Sequence, residues 1–437
     1  MGRLIAIWLV VVVFGSTCGW AGAFDDCNLK ANNTTPTPDQ TISGCTELIK
    51  AGIKASTERS KAYNNRGKAY NEKGDFDRAM ADFSRAIDLD PKNAFAHHNR
   101  GLAYHSKGDY DRAIADQTKA IDIDPKFASA YNNRGYSYAA KGDYDRAIAD
   151  YTRSIDIDPR YLNPYSNRGV AYVNKGDFDR AIADQTKAID IDPKNSLHYR
   201  NRGIAYANKD DFDRAITDYN KAIDIDPKNS PAYTIRGIAY ANKGDYDRAI
   251  ADYNKAINID PKNGVAYDFR GRAHTNKGDY DRAAADFTKA REIDPKMAAA
   301  HLGLGRAHLR QGDLDRAIAD LSEAMRLDAK DPEPLVERGA AYEAKGQIER
   351  AILDYRVALE MPARSNSERQ AHDEARRRLG AIETHKSEPK PVTTSALAAT
   401  PTSRRVALVI GNATTQMRPD CTIQPMTGAQ SPPASVV

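Results

Sequence analysis

Net charge is what this chain has least of. Among its 437 residues, 64 Lys and Arg stand against 60 Asp and Glu, a balance of +4 although charged residues make up 28%. The two signs are interleaved, as in Lys107-Gly108-Asp109-Tyr110-Asp111-Arg112. Interleaved charge solvates a surface without building a long-range field, which argues against nucleic acid and anionic membrane as partners. Long apolar runs are as scarce. Leu4–Phe14 is an unbroken one, with Arg3 before it and Ala21-Gly22-Ala23 after it. That order fits a secretory signal peptide over residues 1–23, cut after Ala23. The rival reading is an uncleaved anchor, because Leu4–Ala23 carries no charge. Gly15-Ser16-Thr17-Cys18 departs from a lipoprotein box at Gly15 and Thr17. Both readings export the repeats, to a periplasmic or extracellular location in a bacterial envelope.

Cysteine is rare too. Cys18 leaves with a cleaved signal, and Cys27, Cys45 and Cys421 remain. In an oxidising compartment Cys27 and Cys45 are disulfide candidates that would tie the first mature residues to the first helix. The alternative is two free thiols, with Cys45 a small core hydrophobe. Histidine is missing after His385, so Cys421 has no downstream base to activate it as a nucleophile.

What the chain does have is a period. Gly67, Gly101, Gly135, Gly169, Gly203, Gly237, Gly271, Gly305 and Gly339 recur every 34 residues. A fixed period of this size means stacked units, each burying its apolar face on its neighbours, and a long surface suited to binding. In the first unit a helix over about Lys61–Glu72 ends at Gly74, a left-handed position. Asp75 caps a second helix to about Leu89, and Pro91 blocks its continuation. Asp210 stands where the other turns have glycine, a tolerable left-handed residue at some cost. Before the units, residues 24–59 hold a capping helix: Thr37 as its cap, Pro38 first inside, Gln40 completing a capping box. After them, 366–382 reads as a polar final helix, 383–403 as a disordered linker rich in Pro, Thr, Ser and Lys.

The order Tyr63-x-x-Arg66-Gly67-x-x-Tyr70, Gly74, Ala79, Phe83, Ala86, Pro91 resembles the tetratricopeptide repeat, and it recurs nine times across 60–365. The resemblance implies an all-α fold, a right-handed superhelical α-solenoid of nine helix pairs with capping helices at both ends. It also implies a concave channel lined by the first helix (A) of each pair, which cradles a peptide or protein segment of a partner. No cofactor and no catalytic residue follow from it.

Two columns depart from the family pattern. Arg66, Arg100, Arg134, Arg168, Arg202, Arg236, Arg270 and Arg338 stand where leucine is usual, and only Leu304 conforms. The second helices (B) carry Asp82, Asp116, Asp150, Asp184, Asp218, Asp252, Asp286, Asp320 and Asp354. An Arg–Asp pair within each unit is the expectation; the rival is arginines that point into the channel and bind an acidic ligand.

The candidate peptide-binding residues are asparagines. Asn65, Asn99, Asn133, Asn167 and Asn201 precede the arginines, and Asn174, Asn208, Asn242 and Asn276 lie two turns further on the same face. An amide offers donor and acceptor together, which suits the backbone of an extended peptide. The alternative is that they bond to adjacent helices and solvent. In chaperone-binding members of the family an asparagine here helps clamp a terminal carboxylate beside basic residues, whereas Lys68, Arg200, Arg272 and Arg306 are scattered. His98 and His105 share the face but sit seven residues apart, about 10 Å along a helix, too far to share a metal ion.

At 404–437, Arg404-Arg405-Val406-Ala407-Leu408-Val409-Ile410-Gly411-Asn412 is a strand signal. It resembles the first strand of caspase-like (metacaspase-type) cysteine peptidase domains, and the pattern dissolves after Asn412. The segment reads as the stump of a truncated domain; the alternative is a chance apolar strand. The expected function is a non-catalytic interaction scaffold. The alternatives are an inactive truncated product of a repeat-regulated peptidase and an envelope adaptor.

Overall fold

A computed structural model describes Cys27, residues 36–52 and residues 54–387. The expected signal peptide, Cys18, Cys421, segment 404–412 and most of the expected linker lie outside the described residues. Every element among the described residues is a helix. The chain divides at Lys194 and Asn195 into two compact units.

The first unit opens with α1 (Pro38–Lys50), followed by hairpins α2/α3 (Ser56–Glu72, Phe76–Leu89), α4/α5 (Ala94–Ser106, Tyr110–Ile123), α6/α7 (Ala128–Ala140, Tyr144–Ile157) and α8/α9 (Leu162–Asn174, Phe178–Ile191). The second unit holds α10/α11 (Ser196–Ala207, Phe212–Ile225), α12/α13 (Ser230–Asn242, Tyr246–Ile259), α14/α15 (Gly264–Asn276, Tyr280–Ile293), α16/α17 (Ala298–Gln311, Leu314–Leu327), α18/α19 (Glu333–Ala344, Ile348–Glu360) and a closing helix α20 (Asn366–Ser387). Within each unit every helix packs on the one before it, so the fold is the expected all-α solenoid of helix pairs.

Local chemistry sets the hairpin. Gly74 is left-handed, with φ 76°. The Gly74 and Asp75 amides then reach back to Asn71 O (3.0 Å) and Tyr70 O (2.9 Å), closing the end of α2. The Asp75 side chain accepts from the Arg78 amide and starts α3. Asp210 holds the equivalent turn at φ 59°. The helices cross closely because the crossing positions are small: a Cβ added at Gly67 would lie 2.7 Å from Phe83 Cε1 and 3.1 Å from Ala79 O. Ala79, Phe83 and Ala86 are buried around that crossing.

The ends are capped by chemistry as well. Thr37 and Gln40 form a reciprocal capping box at α1. A disulfide joins Cys27 to Cys45 on α1, and the Cys27 carbonyl accepts from Asn65 Nδ2 on α2 at 2.8 Å. At the other end, the Ser365 hydroxyl accepts from the Glu368 amide while Glu368 Oε2 accepts from the Ser365 amide. Two expected boundaries move. Helix α2 starts at Ser56, not near Lys61, since no proline or glycine interrupts 56–60. Helix α20 passes 382 and ends at Ser387.

Candidate functional site

Every arginine of the A-helix column meets the aspartate sixteen residues on. Arg100, Arg134 and Arg168 each donate Nε to Oδ2 and Nη2 to Oδ1 of their partner at 2.8 Å. In the second unit Arg202, Arg236, Arg270 and Arg338 hold Asp218, Asp252, Asp286 and Asp354 in the same two-pronged way. The third prong, Nη1, reaches the preceding B helix: Arg66 to Thr46, Arg100 to Ser84, Arg134 to Thr118, Arg168 to Thr152. Asp82's hydrogen bond pushes the Arg66 guanidinium above its ordinary range. Burial pushes Asp116 up, but the Arg100 and His97 hydrogen bonds overcome it and the carboxyl titrates below its usual range. With their donor edges turned to partners inside the fold, the arginines do not present a site for an acidic ligand.

Leu304 breaks the column, and its orphaned Asp320 finds other partners. His308 Nδ1 lies 2.9 Å from Asp320 Oδ2, and Arg291 Nη1 donates to Oδ1 at 3.3 Å. The charge is satisfied by a histidine one turn along the same A helix and by an arginine from the neighbouring hairpin.

In the first unit the asparagines knit A helices together. Asn99 Nδ2 donates to Asn64 Oδ1 (2.9 Å), Asn167 Nδ2 to Asn132 Oδ1 (3.1 Å), and Asn133 Nδ2 approaches His98 Nε2 (3.5 Å). Each is half-buried. Asn174 is exposed and bonds back to Val170 O. In the second unit Asn208 bonds back to Ile204 O, Asn201 and Asn242 are half-buried, and Asn276 is exposed. Asn99, Asn133 and Asn167 thus belong to a ladder between successive A helices, whereas Asn65 bonds to the Cys27 carbonyl and Asn174 and Asn208 bond back to their own helices.

Beside the ladder lies a surface that the asparagine pattern did not point to. Phe95 is 63% exposed and Tyr136 is 40% exposed. Phe95 stacks edge-on against Phe127 at 5.1 Å between ring centres, and His105 stacks on Tyr136 at 4.5 Å. His98 donates Nδ1 to Gln117 Oε1 at 2.8 Å and packs on Phe127. Burial holds both histidines neutral, pushing His98 and His105 each down to about 4. A signal for this patch does exist in the sequence. Among near-identical units, the column Lys61, Phe95, Ser129, Asn163 and the column Lys68, Leu102, Tyr136, Val170 change from unit to unit. Positions needed for stacking repeat; positions free of that duty can vary.

The A-helix face of the second unit is charged instead. Arg306 donates to Glu333 (2.6 Å) and Glu337 (2.9 Å), and Arg272 to Asp268 (2.8 Å). These arginines are engaged with carboxylates and do not build a clamp. Hollows at the turns are walled by residues such as Lys277 and Asp247, which pair with each other. Among the described residues no group of His, Cys, Asp and Glu is arranged to hold a metal ion, and no helix is long and apolar enough to cross a membrane.

Family models of the TPR repeat match residues 67–108, 101–142 and 135–176. Models of the tetratricopeptide repeat match 162–195, 197–229, 230–263 and 270–332, so that the matches together span more than half of the chain. No curated protein matches it. Among solved structures, a tetratricopeptide repeat protein from Parabacteroides merdae ATCC 43184 is 22% identical, aligned over 57% of this chain and 98% of that one with a TM-score of 0.48. MamA is 28% identical over 38% of this chain and 96% of its own, with a TM-score of 0.35. Yeast Tom70 is 17% identical over 85% and 98%, with a TM-score of 0.46. The repeat matches, taken with the nine hairpins of the fold, make this chain a member of the tetratricopeptide-repeat family.

Proposed function

We propose that the chain is a non-catalytic scaffold that holds an extended segment of a partner protein on the A-helix face of its first unit. The observation that carries this reading is the exposed pair Phe95 and Tyr136, set in columns that vary while the rest of the unit repeats. Rigid aromatic rings supply contact area at small entropic cost, and a few such anchors dominate most interfaces. The asparagine ladder runs alongside. Its amide donors hold the A helices in register, and the exposed Asn174 offers a polar contact to a passing peptide backbone. The partner segment is therefore one with an aliphatic or aromatic anchor.

The test is selection of a displayed random-peptide library on the immobilised chain. Peptides with an apolar anchor should be enriched, and Phe95→Ser with Tyr136→Ser should weaken their capture about tenfold or more without shifting the thermal melt. Equal capture by the variant removes this face as the site. Replacing Asn99, Asn133 and Asn167 with alanine separates the two columns: a change in stability with unchanged capture assigns the asparagines to the scaffold alone.

We also place the mature chain outside the cytoplasm, on the Cys27–Cys45 disulfide together with the signal pattern of residues 1–23. Amino-terminal sequencing of the exported chain should begin at Phe24, and the two cysteines should resist thiol labelling until reduced. The reading of 404–412 as a peptidase remnant rests on residues outside the described part of the chain.

A further inference from the structure

The outer surface of α19 carries an apolar strip that other B helices lack. Leu353 is 61% exposed and Val357 is 39% exposed. At the position of Leu353 the other units have Ala81, Ala115, Ala149, Ala183, Thr217, Ala251, Ala285 and Ala319. At the position of Val357 every other unit is charged, from Arg85 and Lys119 to Lys289 and Glu323. The period would put a small residue and a charge here, so neither apolar side chain is inherited from the stacking pattern. The two lie one turn apart, with exposed Glu349 and Glu360 beyond them on the same side of the helix.

The last described helix lies beside this strip. Glu383 on α20 pairs with Arg356, the residue between Leu353 and Val357, at 3.5 Å. Helix α20 ends one turn later at Ser387. Beyond it lie 50 residues, in which the longest apolar run is Val406–Ile410, directly preceded by Arg404 and Arg405. Basic residues followed by an apolar run complement an apolar strip bounded by carboxylates. Val406 is nineteen residues past Ser387, and that length of chain reaches at most ~60 Å, far more than the distance back to α19 demands.

We propose that Arg404–Ile410 docks in cis on α19, with the run Val406–Ile410 over Leu353 and Val357 and the two arginines against Glu360. Tethering raises the effective concentration of the segment to the millimolar range, so a contact of modest area is enough to keep it seated. A separate copy of the chain would have to match that concentration to compete. The contact is independent of the A-helix face of the first unit, and neither proposal depends on the other.

Two readouts on the mature full-length chain test it. Trypsin cuts after Arg404 and Arg405, and a docked segment is cut only from its open state. Leu353→Glu with Val357→Glu, which introduces charges at surface positions, should speed that cleavage by about fivefold or more while leaving the far-UV circular dichroism unchanged. The mature chain has no tryptophan after Trp20, so Leu408→Trp adds a single reporter. Its emission should be blue-shifted, and red-shift when the two glutamates are introduced. Equal cleavage rates and a fully solvated tryptophan would overturn the proposal. So would protection that grows with protein concentration alongside dimer formation in sedimentation, since the occupant would then be a second copy.

Discussion

Arg134 grips Asp150 with two parallel hydrogen bonds of 2.8 Å each and spends its third donor edge on Thr118 of the preceding hairpin at 3.1 Å. One side chain therefore closes its own hairpin and fastens that hairpin to its neighbour. The same geometry recurs along each unit, so the Arg–Asp column acts as a seam as well as a set of pairs.

Removing one partner exposes the logic of the seam. Asp150→Ala leaves a mostly buried guanidinium without its carboxylate and should cost about 3 kcal/mol. Arg134→Leu with Asp150→Ala should recover most of that loss, because the lone buried charge is gone. Repeat arrays lose cooperativity over length, so the measurement is amide exchange in Ala128–Ala140 and Tyr144–Ile157 rather than one global midpoint.

The eighth hairpin gives a natural contrast. His308→Leu strips Asp320 of its closest partner and leaves Arg291 at 3.3 Å, for an expected local loss of about 1–3 kcal/mol. His97→Leu should cost less, since Asp116 keeps both bonds from Arg100. Exchange rates within Leu314–Leu327 and Tyr110–Ile123 compare the two sites.

Asp210 is the one non-glycine residue with positive φ among the described residues, at 59°. Asp210→Gly relieves a left-handed strain of about 1 kcal/mol and should slow exchange in the α10/α11 hairpin by up to about fivefold. The reverse change, Gly142→Asp, should loosen α6/α7 by a similar amount.

The first unit should lose stability as pH falls from neutral. Burial lowers His98 and His105 from 6.5 to about 4 each. Their folded forms bind protons less tightly than the unfolded chain, so the contribution is fully present above 6.5 and is lost as pH falls from there toward 4. Amide exchange within Ala94–Ser106 between pH 7.5 and 4.5 should show the decline. His98→Gln with His105→Gln should remove most of it.

Much of the fold is written in the chain one residue at a time. Gly67 repeated every 34 residues, Asp75 at a helix start and Gly74 in a turn act within a few residues of themselves, so their roles can be read from spacing. Asp210 illustrates the same point: its side chain and position predicted a strained turn, and the turn is there. The Arg66–Asp82 pairing was legible because two matching columns recur at constant separation, and identical surroundings force identical partners.

The rest depended on neighbours that no spacing reveals. Sequence placed Asn99 and Asn174 on one face, yet Asn99 is tied to Asn64 of another hairpin and Asn174 turns back on its own helix. It did not single out Phe95, Tyr136, Leu353 or Val357, whose exposure follows from which side chains happen to cover them. The run of α20 past residue 382 was missed because composition changes before the helix does.

The amino-acid order by itself determined the hairpin, its turns and its caps, and with the period the stacking of one hairpin on the next, because backbone conformation and short-range hydrogen bonding are set by adjacent residues. Only the tertiary structure decided which polar groups are already satisfied and which apolar ones stay open to a partner, because exposure is a property of the assembled neighbours rather than of any one segment.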